Sequence, residues 1–112
     1  CVGAVLDFGH SGLAGEPVDL ALDAVWPHLL LVNFKSAYWR RPTGPEAGAG
    51  RWRPYWTTGR CGMADWAGAV AELKRRGYAG DVCLTAEYSD RGAVDRLVAE
   101  DLTYIKSLFA GD

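Results

Sequence analysis

The stretch Leu29-Leu30-Leu31-Val32-Asn33-Phe34 is apolar at every position except Asn33, and it decides the fold class. Two shorter runs of the same kind lie at residues 2–6 and 82–86. A strand with one solvated face alternates apolar and polar residues, whereas these runs are nearly continuous. Continuous apolar runs of this length predict strands that are covered on both faces, as in a parallel sheet.

Helical patterns lie between and after these runs. Residues 17–26 carry apolar side chains on one helical face. Asp65 is a candidate N-cap for a second helix, and Gly77 can take the left-handed position that closes it. A third helix is predicted at 92–109, with Asp90 as its candidate cap. The order is βαβαβα, which implies a parallel sheet with right-handed crossovers.

The length suggests part of a larger barrel. Dividing 112 residues by three gives roughly 37 per βα unit, close to the ~31 expected when eight units form a ~250-residue barrel. Three units cannot close a barrel, so we expect helices on one face of the sheet, with the other face and both edges open. The chain begins with Cys1 rather than Met. We expect residues 1–112 to form one partial domain, either a piece of a longer chain, which we favour, or a unit that pairs with another copy.

Composition argues against several classes of protein. Twelve Lys and Arg against fourteen Asp and Glu give a net charge of -2, so the overall basic surface of a nucleic-acid-binding domain is absent. No apolar stretch approaches the roughly 20 residues of a membrane-spanning helix, so we expect no membrane partner. Cys1, Cys61 and Cys83 are odd in number and lack metal-binding spacing, which predicts reduced thiols in a cytoplasmic protein.

An oxygen-bearing polar residue accompanies each apolar run. Asp7 follows the first run, Asn33 lies within the second, and Glu87 follows the third. The carboxyl ends of parallel strands meet at one edge of a sheet, so we expect these side chains to converge there, together with His10. Such a set suits Mg²⁺, Mn²⁺ or a similar divalent ion. The alternative is that Asp7 and Glu87 only cap loops or pair with arginines, but the repeated placement favours function.

Several motifs, in order, resemble a known family. Residues 7–10 (DFGH) resemble the D-x-x-H segment of the xylose isomerase-like TIM barrels, the sugar phosphate isomerase/epimerase superfamily. Residues 31–35 (LVNFK) resemble its "hvHvK" strand, and 62–66 (GMADW) its "G-x-x-D-W" helix start. Residues 76–80 (RGYAG) resemble its "GY-x-G" turn, which leads into a last strand ending in Glu. The resemblance implies the last three βα units, strands six to eight, of a (β/α)8 TIM barrel.

The resemblance also implies a metal site. In that family a Glu, an Asp, a His and a Glu at the ends of strands five to eight hold a divalent metal, here Mn, Mg, Co or Zn. Asp7 matches the Asp, Glu87 matches the last Glu, and His10 matches a substrate-contacting residue. Asn33 stands where the His ligand is expected, and an amide oxygen binds transition metals more weakly than imidazole does. The first Glu would lie before Cys1.

The function implied by the resemblance is that of a sugar or sugar-phosphate isomerase or epimerase. The metal would polarise the substrate oxygens, and carboxylates would move a proton through an enediolate, with Glu87 as both metal ligand and acid/base group. One alternative is a non-catalytic sugar-binding or assembly module with a degenerate metal site. A less favoured alternative is a nucleic-acid enzyme resembling the apurinic-site endonucleases of the same superfamily.

Residues 36–63 interrupt the βα rhythm, with no helical or strand period, and predict a long ordered loop. The segment from Lys35 to Arg60 contains six Lys or Arg residues and a single acidic residue, Glu46. Aromatic residues are interleaved with these basic residues. The loop is interpreted as a substrate lid, a partner or homo-oligomer contact, a nucleic-acid contact, or a solvated loop whose tryptophans pack on the barrel rim. For the lid, the candidate substrate-binding residues are His10, Lys35, Trp39 and Arg60.

Overall fold

The computed structural model describes residues 2–44 and 50–111. Cys1 and Glu46, which entered the thiol and charge analysis, lie outside the described residues. The elements in chain order are β1 (Ala4–Asp7), α1 (Phe8–Leu13), α2 (Val18–Val25), β2 (Leu29–Phe34), β3 (Ser36–Arg40), β4 (Arg53–Thr57), α3 (Trp66–Arg75), β5 (Asp81–Leu84) and α4 (Val94–Ala110). Short 3-10 turns at Trp26–His28 and Arg91–Ala93 precede β2 and α4.

The central sheet is parallel, as the three apolar runs predict. Its strand order is β1-β2-β5, with Asp7 paired to Asn33 and Asn33 paired to Cys83. The second predicted strand, Leu29–Phe34, matches β2 at both ends. A mixed α/β domain built on a parallel sheet is therefore confirmed.

The core lies between one face of this sheet and the helices. Val32 and Phe34 of β2 are buried against Leu22 of α2, Trp66 of α3 and Ile105 of α4. The Phe34 and Trp66 rings meet edge-on with centroids 5.4 Å apart, an arrangement that aromatic quadrupoles favour. Burying a side chain of this size contributes about 1.5–3 kcal/mol. The helices therefore hold their places because each lays its apolar stripe on β2.

These helices do not cover the other face of the sheet. Val5 and Leu31 are register neighbours and alternate with the core residues Leu6 and Val32, so they lie on the opposite face. Val5 is 56% exposed although its strand is apolar. The sheet is thus covered on one side only in the described part of the chain.

The predicted end signals of α3 are confirmed. The Asp65 carboxylate accepts a hydrogen bond from the Gly68 amide at 2.9 Å, as an N-cap does. Gly77 has φ 68°, the left-handed conformation that glycine adopts without steric cost, and the Tyr78 amide donates to the Leu73 carbonyl at 2.9 Å. The other candidate cap, Asp90, starts the turn before α4 without a side-chain capping bond.

The prediction that residues 36–63 have no strand period is wrong. β3 and β4 form an antiparallel hairpin in which Tyr38 pairs with Tyr55 and Arg40 with Arg53. The two tyrosine rings lie 5.3 Å apart, and the Arg40 guanidinium lies 5.1 Å from the Tyr55 ring centroid. The ribbon is held by these cross-strand contacts and not by one buried apolar face, so it lacks the alternation on which the sequence prediction relied.

Two further boundaries differ from the prediction. The six-residue helix α1 follows β1 directly and was not predicted, because Gly9 and Gly12 are poor helix formers. The last strand ends at Leu84 instead of residue 86, since Ala86 has φ 55° and cannot continue a strand.

Cys61 and Cys83 are free thiols. Over the described residues, no helix has the length and apolar character needed to cross a membrane.

An ion cluster joins α2 to α3. The Arg76 guanidinium donates to Glu72 at 2.8 Å and to Asp23 of α2 at 2.7 Å, and Arg75 also donates to Glu72. Hydrogen bonds from Arg75 and Arg76 lower the pKa of Glu72 from 4.5 to about 2. The charged form of Glu72 is therefore favoured in the folded state.

We predict that Glu72→Gln reduces the loss of stability in acid. Because the folded-state pKa of Glu72 is lowered, its contribution is present above about pH 4.5 and is lost as the pH falls toward 2. Urea denaturation at pH 7, 4 and 3 should show a smaller decline in unfolding free energy for Glu72→Gln than for the wild type. The exposed Glu16→Gln variant, which removes the same charge, should decline like the wild type; equal declines in all three proteins would contradict the prediction.

Candidate functional site

The site residues predicted at the strand ends lie on the sheet face that points away from the helical core. Asp7 is the last residue of β1 and the register partner of Asn33 in β2. Asn33 alternates with the buried Val32 and Phe34, so it projects to the opposite face, and Lys35 follows with the same parity. The sheet thus brings these residues to its carboxyl edge.

Lys35 joins the two candidate carboxylates. Its ammonium nitrogen lies 3.1 Å from Glu87 Oε2 and 3.6 Å from Asp7 Oδ2. The Lys35 side chain is only 8% exposed, whereas Glu87 is 61% exposed. A charge this deeply buried requires compensation, and the two carboxylates provide it.

Trp56 of β4 completes the environment of this ammonium. The Lys35 nitrogen lies 4.3 Å from the Trp56 ring centroid, within cation–π range. The His10 ring meets the Trp56 ring nearly edge-on, with centroids 5.1 Å apart. Asp7, His10, Lys35, Trp56 and Glu87 are called the Lys35 cluster below.

Asp7 performs two tasks because it lies where β1 passes directly into α1. Its Oδ1 accepts hydrogen bonds from the amides of Gly9 at 2.8 Å and His10 at 3.1 Å, which caps the helix. Its other oxygen, Oδ2, faces Lys35. Gly9 is needed here, since a Cβ atom would lie 2.9 Å from the Lys35 carbonyl oxygen.

Glu87 is placed by an unusual backbone. Ala86, immediately before it, has φ 55°, a conformation that non-glycine residues seldom adopt. The neighbouring Thr85 hydroxyl is buried and has no hydrogen-bond partner among the described residues. Local strain and unsatisfied polar groups of this kind concentrate at functional sites.

The loop that carries Glu87 is tied to the hairpin and to α4. Ser89 accepts a hydrogen bond from the Trp56 amide at 2.9 Å and donates its own amide to the Trp56 carbonyl at 3.0 Å. One residue earlier, the Tyr88 hydroxyl donates to Asp101 Oδ2 at 2.6 Å, while Asp101 Oδ1 accepts from the Gly59 amide at 2.8 Å. Burial raises the pKa of Asp101, and burial followed by the Asp101 hydrogen bond raises the pKa of Tyr88.

Two predicted substrate residues have their contacts elsewhere. The Trp39 indole nitrogen donates to the Leu13 carbonyl at 3.3 Å, beside α1. The Arg60 guanidinium lies 4.0 Å from the Tyr104 ring centroid, on α4. The structure therefore brings His10 and Lys35 together with Asp7 and Glu87, and it places Trp39 and Arg60 against helices. Their role in substrate binding stays a prediction.

The sequence analysis did not select Trp56 as a site residue. Trp56 is one of the aromatic residues interleaved with the basic ones, which was the available signal, but its partners could be identified only with the hairpin known. A separate cleft of about 610 Å³ lies between α1, α2 and the start of α3, and no member of the Lys35 cluster lines it.

The residues as arranged do not fit the divalent metal that the family resemblance implies. The position between Asp7 and Glu87 is taken by the Lys35 ammonium, and a divalent cation there would be repelled by it. Asn33, the third candidate ligand, is neutral. Within residues 2–44 and 50–111, no group of three or more His, Cys, Asp or Glu side chains is placed to hold a metal ion.

Comparison with known proteins does not place the chain. No family model matches it, and no curated protein matches its sequence.

We predict that Tyr88→Phe destabilises the protein. Removing the hydroxyl leaves one oxygen of the buried Asp101 carboxylate without its donor, which costs about 1–3 kcal/mol. Urea denaturation at pH 7 should show this loss. Tyr104→Phe, which removes a hydroxyl from a ring packed on Trp66, should change stability much less, and equal losses in both variants would contradict the role given to the Tyr88–Asp101 pair.

Proposed function

We propose that this chain carries part of the active site of a sugar or sugar-phosphate isomerase or epimerase, with Glu87 as the proton-transferring group. The observation that carries the proposal is the Lys35 cluster: a buried ammonium beside an exposed carboxylate at the carboxyl edge of a parallel sheet. Ligands bind at this edge in α/β proteins.

We further propose that the three parallel strands are strands six to eight of a TIM barrel. Support comes from the one-sided cover of the sheet, since barrel strands carry helices outside and pack their other face inside. Val5, Leu31 and Asn33 lie on the face that would line the barrel interior. The DFGH and LVNFK motifs also fall where the resemblance requires, at the ends of neighbouring strands.

The Lys35 cluster suits a hydroxy-carbonyl substrate. Indole faces pack on the C–H groups of sugars, and Trp56 lies beside both a cation and an imidazole that can bind hydroxyl or carbonyl oxygens. Glu87 is 61% exposed and can therefore reach a ligand at the rim.

The chemistry is a proton transfer through an enediolate. Glu87 takes a proton from the carbon next to the substrate carbonyl; the C–H electron pair forms a C=C bond, and the carbonyl π pair moves to oxygen. Lys35, next to Glu87, stabilises that negative oxygen. The proton then returns from Glu87 to the same carbon, or to the adjacent carbon while the hydroxyl proton passes between the two oxygens. Epimerisation needs a second acid on the opposite face of the carbon.

A second candidate is a non-catalytic sugar-binding module. The observation that favours it is that Lys35 pairs with both carboxylates, so that Glu87 Oε2 is already engaged by the ammonium at 3.1 Å. The same cluster would then bind a sugar through hydrogen bonds and the Trp56 face alone.

Exchange of the substrate α-proton with deuterated water distinguishes the two candidates. We expect the full chain to catalyse this exchange on at least one of D-xylulose, D-fructose or their phosphates, observed by proton NMR. Glu87→Gln should slow it by about 100-fold or more, because the base is removed. The control is Glu100→Gln, at an exposed position on α4, which should exchange like the wild type. Sugar binding without exchange in the wild type would reject the isomerase and support the binding module.

The open sheet face generates a separate prediction. In dilute solution the 112-residue chain should self-associate, because an apolar face and two strand edges lack cover from any part of residues 2–44 and 50–111. Sedimentation velocity should show concentration-dependent species, and Leu31→Asp, on that face, should shift them toward monomer while α-helical circular dichroism is retained. A wild type that sediments as a monomer at all concentrations would argue against an uncovered barrel face.

A further inference from the structure

We propose that the Lys35 ammonium permanently occupies the cation position between Asp7 and Glu87, so that this site works without a divalent metal. The inference rests on the proposed function only for what the site does with a substrate. The occupancy itself follows from geometry, since one nitrogen lies 3.1 Å from Glu87 Oε2 and 3.6 Å from Asp7 Oδ2.

Lys35 is held in this position from several sides. Its side chain is 8% exposed, its nitrogen lies 4.3 Å from the Trp56 ring centroid, and its stem packs where a Gly9 Cβ would stand. Its backbone is also fixed, because the Trp66 indole in the core donates to the Lys35 carbonyl at 3.2 Å. To admit a divalent ion, the ammonium would have to leave two carboxylates and an aromatic face.

Asn33 agrees with this reading independently. In the resembling motif a lysine follows a histidine, so a lysine alone does not distinguish the two kinds of site. Here the histidine position holds Asn33, whose amide is neutral and ligates transition metals poorly. The imidazole ligand is thus absent at Asn33, and Lys35, two residues later, supplies an internal cation.

Charge at the rim is consistent with a single internal cation. Two carboxylates and one ammonium leave the trio with one negative charge, and Glu87 is the exposed member of the trio. Glu87 pairs with the ammonium through Oε2, but its exposed side chain can still reach a substrate, whereas Asp7 is engaged both by Lys35 and by the α1 cap. A bound divalent ion would instead engage both carboxylates as ligands.

Binding of Mn²⁺, measured by electron paramagnetic resonance, tests the proposal without any turnover. The full chain is compared with Asn33→His, Lys35→Met and the double variant; methionine has a similar length to lysine and no charge. We expect the wild type to retain no Mn²⁺ under the conditions of the assay. The double variant should bind Mn²⁺ with an affinity at least about 100-fold higher than the upper limit set by the wild type, because the repelling charge is removed and an imidazole is added.

Two outcomes would overturn the proposal. The first is micromolar Mn²⁺ binding by the wild type that weakens in Asp7→Ala, and the second is absence of binding in a folded double variant. If Lys35→Met does not fold, the wild type alone remains decisive: its thermal midpoint should be the same with EDTA and with Mn²⁺, and a midpoint raised by Mn²⁺ would refute metal independence.

The same samples separate this inference from the proposed function. Proton exchange that persists in EDTA supports both. Exchange that EDTA abolishes overturns the metal-independent site and leaves the isomerase standing. Absence of exchange together with absence of Mn²⁺ binding rejects the isomerase and leaves the internal cation standing.

Discussion

The ion pairs of Lys35 with Asp7 and Glu87 are the constraint on which the candidate site depends. Burying the Lys35 ammonium, whose side chain is only 8% exposed, is unfavourable unless opposite charges compensate for the lost hydration. The compensating groups come from the end of β1 and from the loop after β5, which lie on either side of β2 in the sheet. One buried charge therefore couples the ends of all three parallel strands. Loss of either carboxylate would leave the buried ammonium compensated by only one negative charge.

The same constraint explains why small and strained residues surround the cluster. Gly9 permits α1 to approach Lys35 closely enough for Asp7 to cap the helix with one oxygen and face the ammonium with the other. Ala86 turns the chain with φ 55° so that Glu87 returns toward β2. The buried bonds of Asp101 to Tyr88 and Gly59 then hold the turned segment against α4. These hydrogen bonds thus fix the segment from which the exposed Glu87 side chain projects.

The sequence predicts the parallel sheet, the bounds of β2 and the ends of α3 well, because the run Leu29–Phe34 and the α3 end signals at Asp65 and Gly77 act locally. It does not predict the hairpin, whose stability depends on pairing between Tyr38 and Tyr55 across a long separation in the chain. For the same reason Trp56 escaped selection: its relation to Lys35 exists only once the hairpin has formed. Residue type and strand order could bring Asp7 and Glu87 to one edge, but only coordinates show a lysine between them.

Trp56 links the β3–β4 hairpin to the carboxyl edge of the parallel sheet. Its backbone pairs with Ser89, two residues after Glu87, while its ring contacts Lys35 and His10. Movement of the hairpin would therefore change the aromatic face on the ammonium and the position of the loop that carries Glu87 together. Any ligand that binds against the Trp56 face would stabilise the geometry in which Glu87 lies beside Lys35, because the Trp56 amide donates to the Ser89 hydroxyl and the Trp56 carbonyl accepts from the Ser89 amide. Under the proposed function, ligand binding and the placement of Glu87 would therefore be coupled through Trp56, a residue outside the parallel sheet.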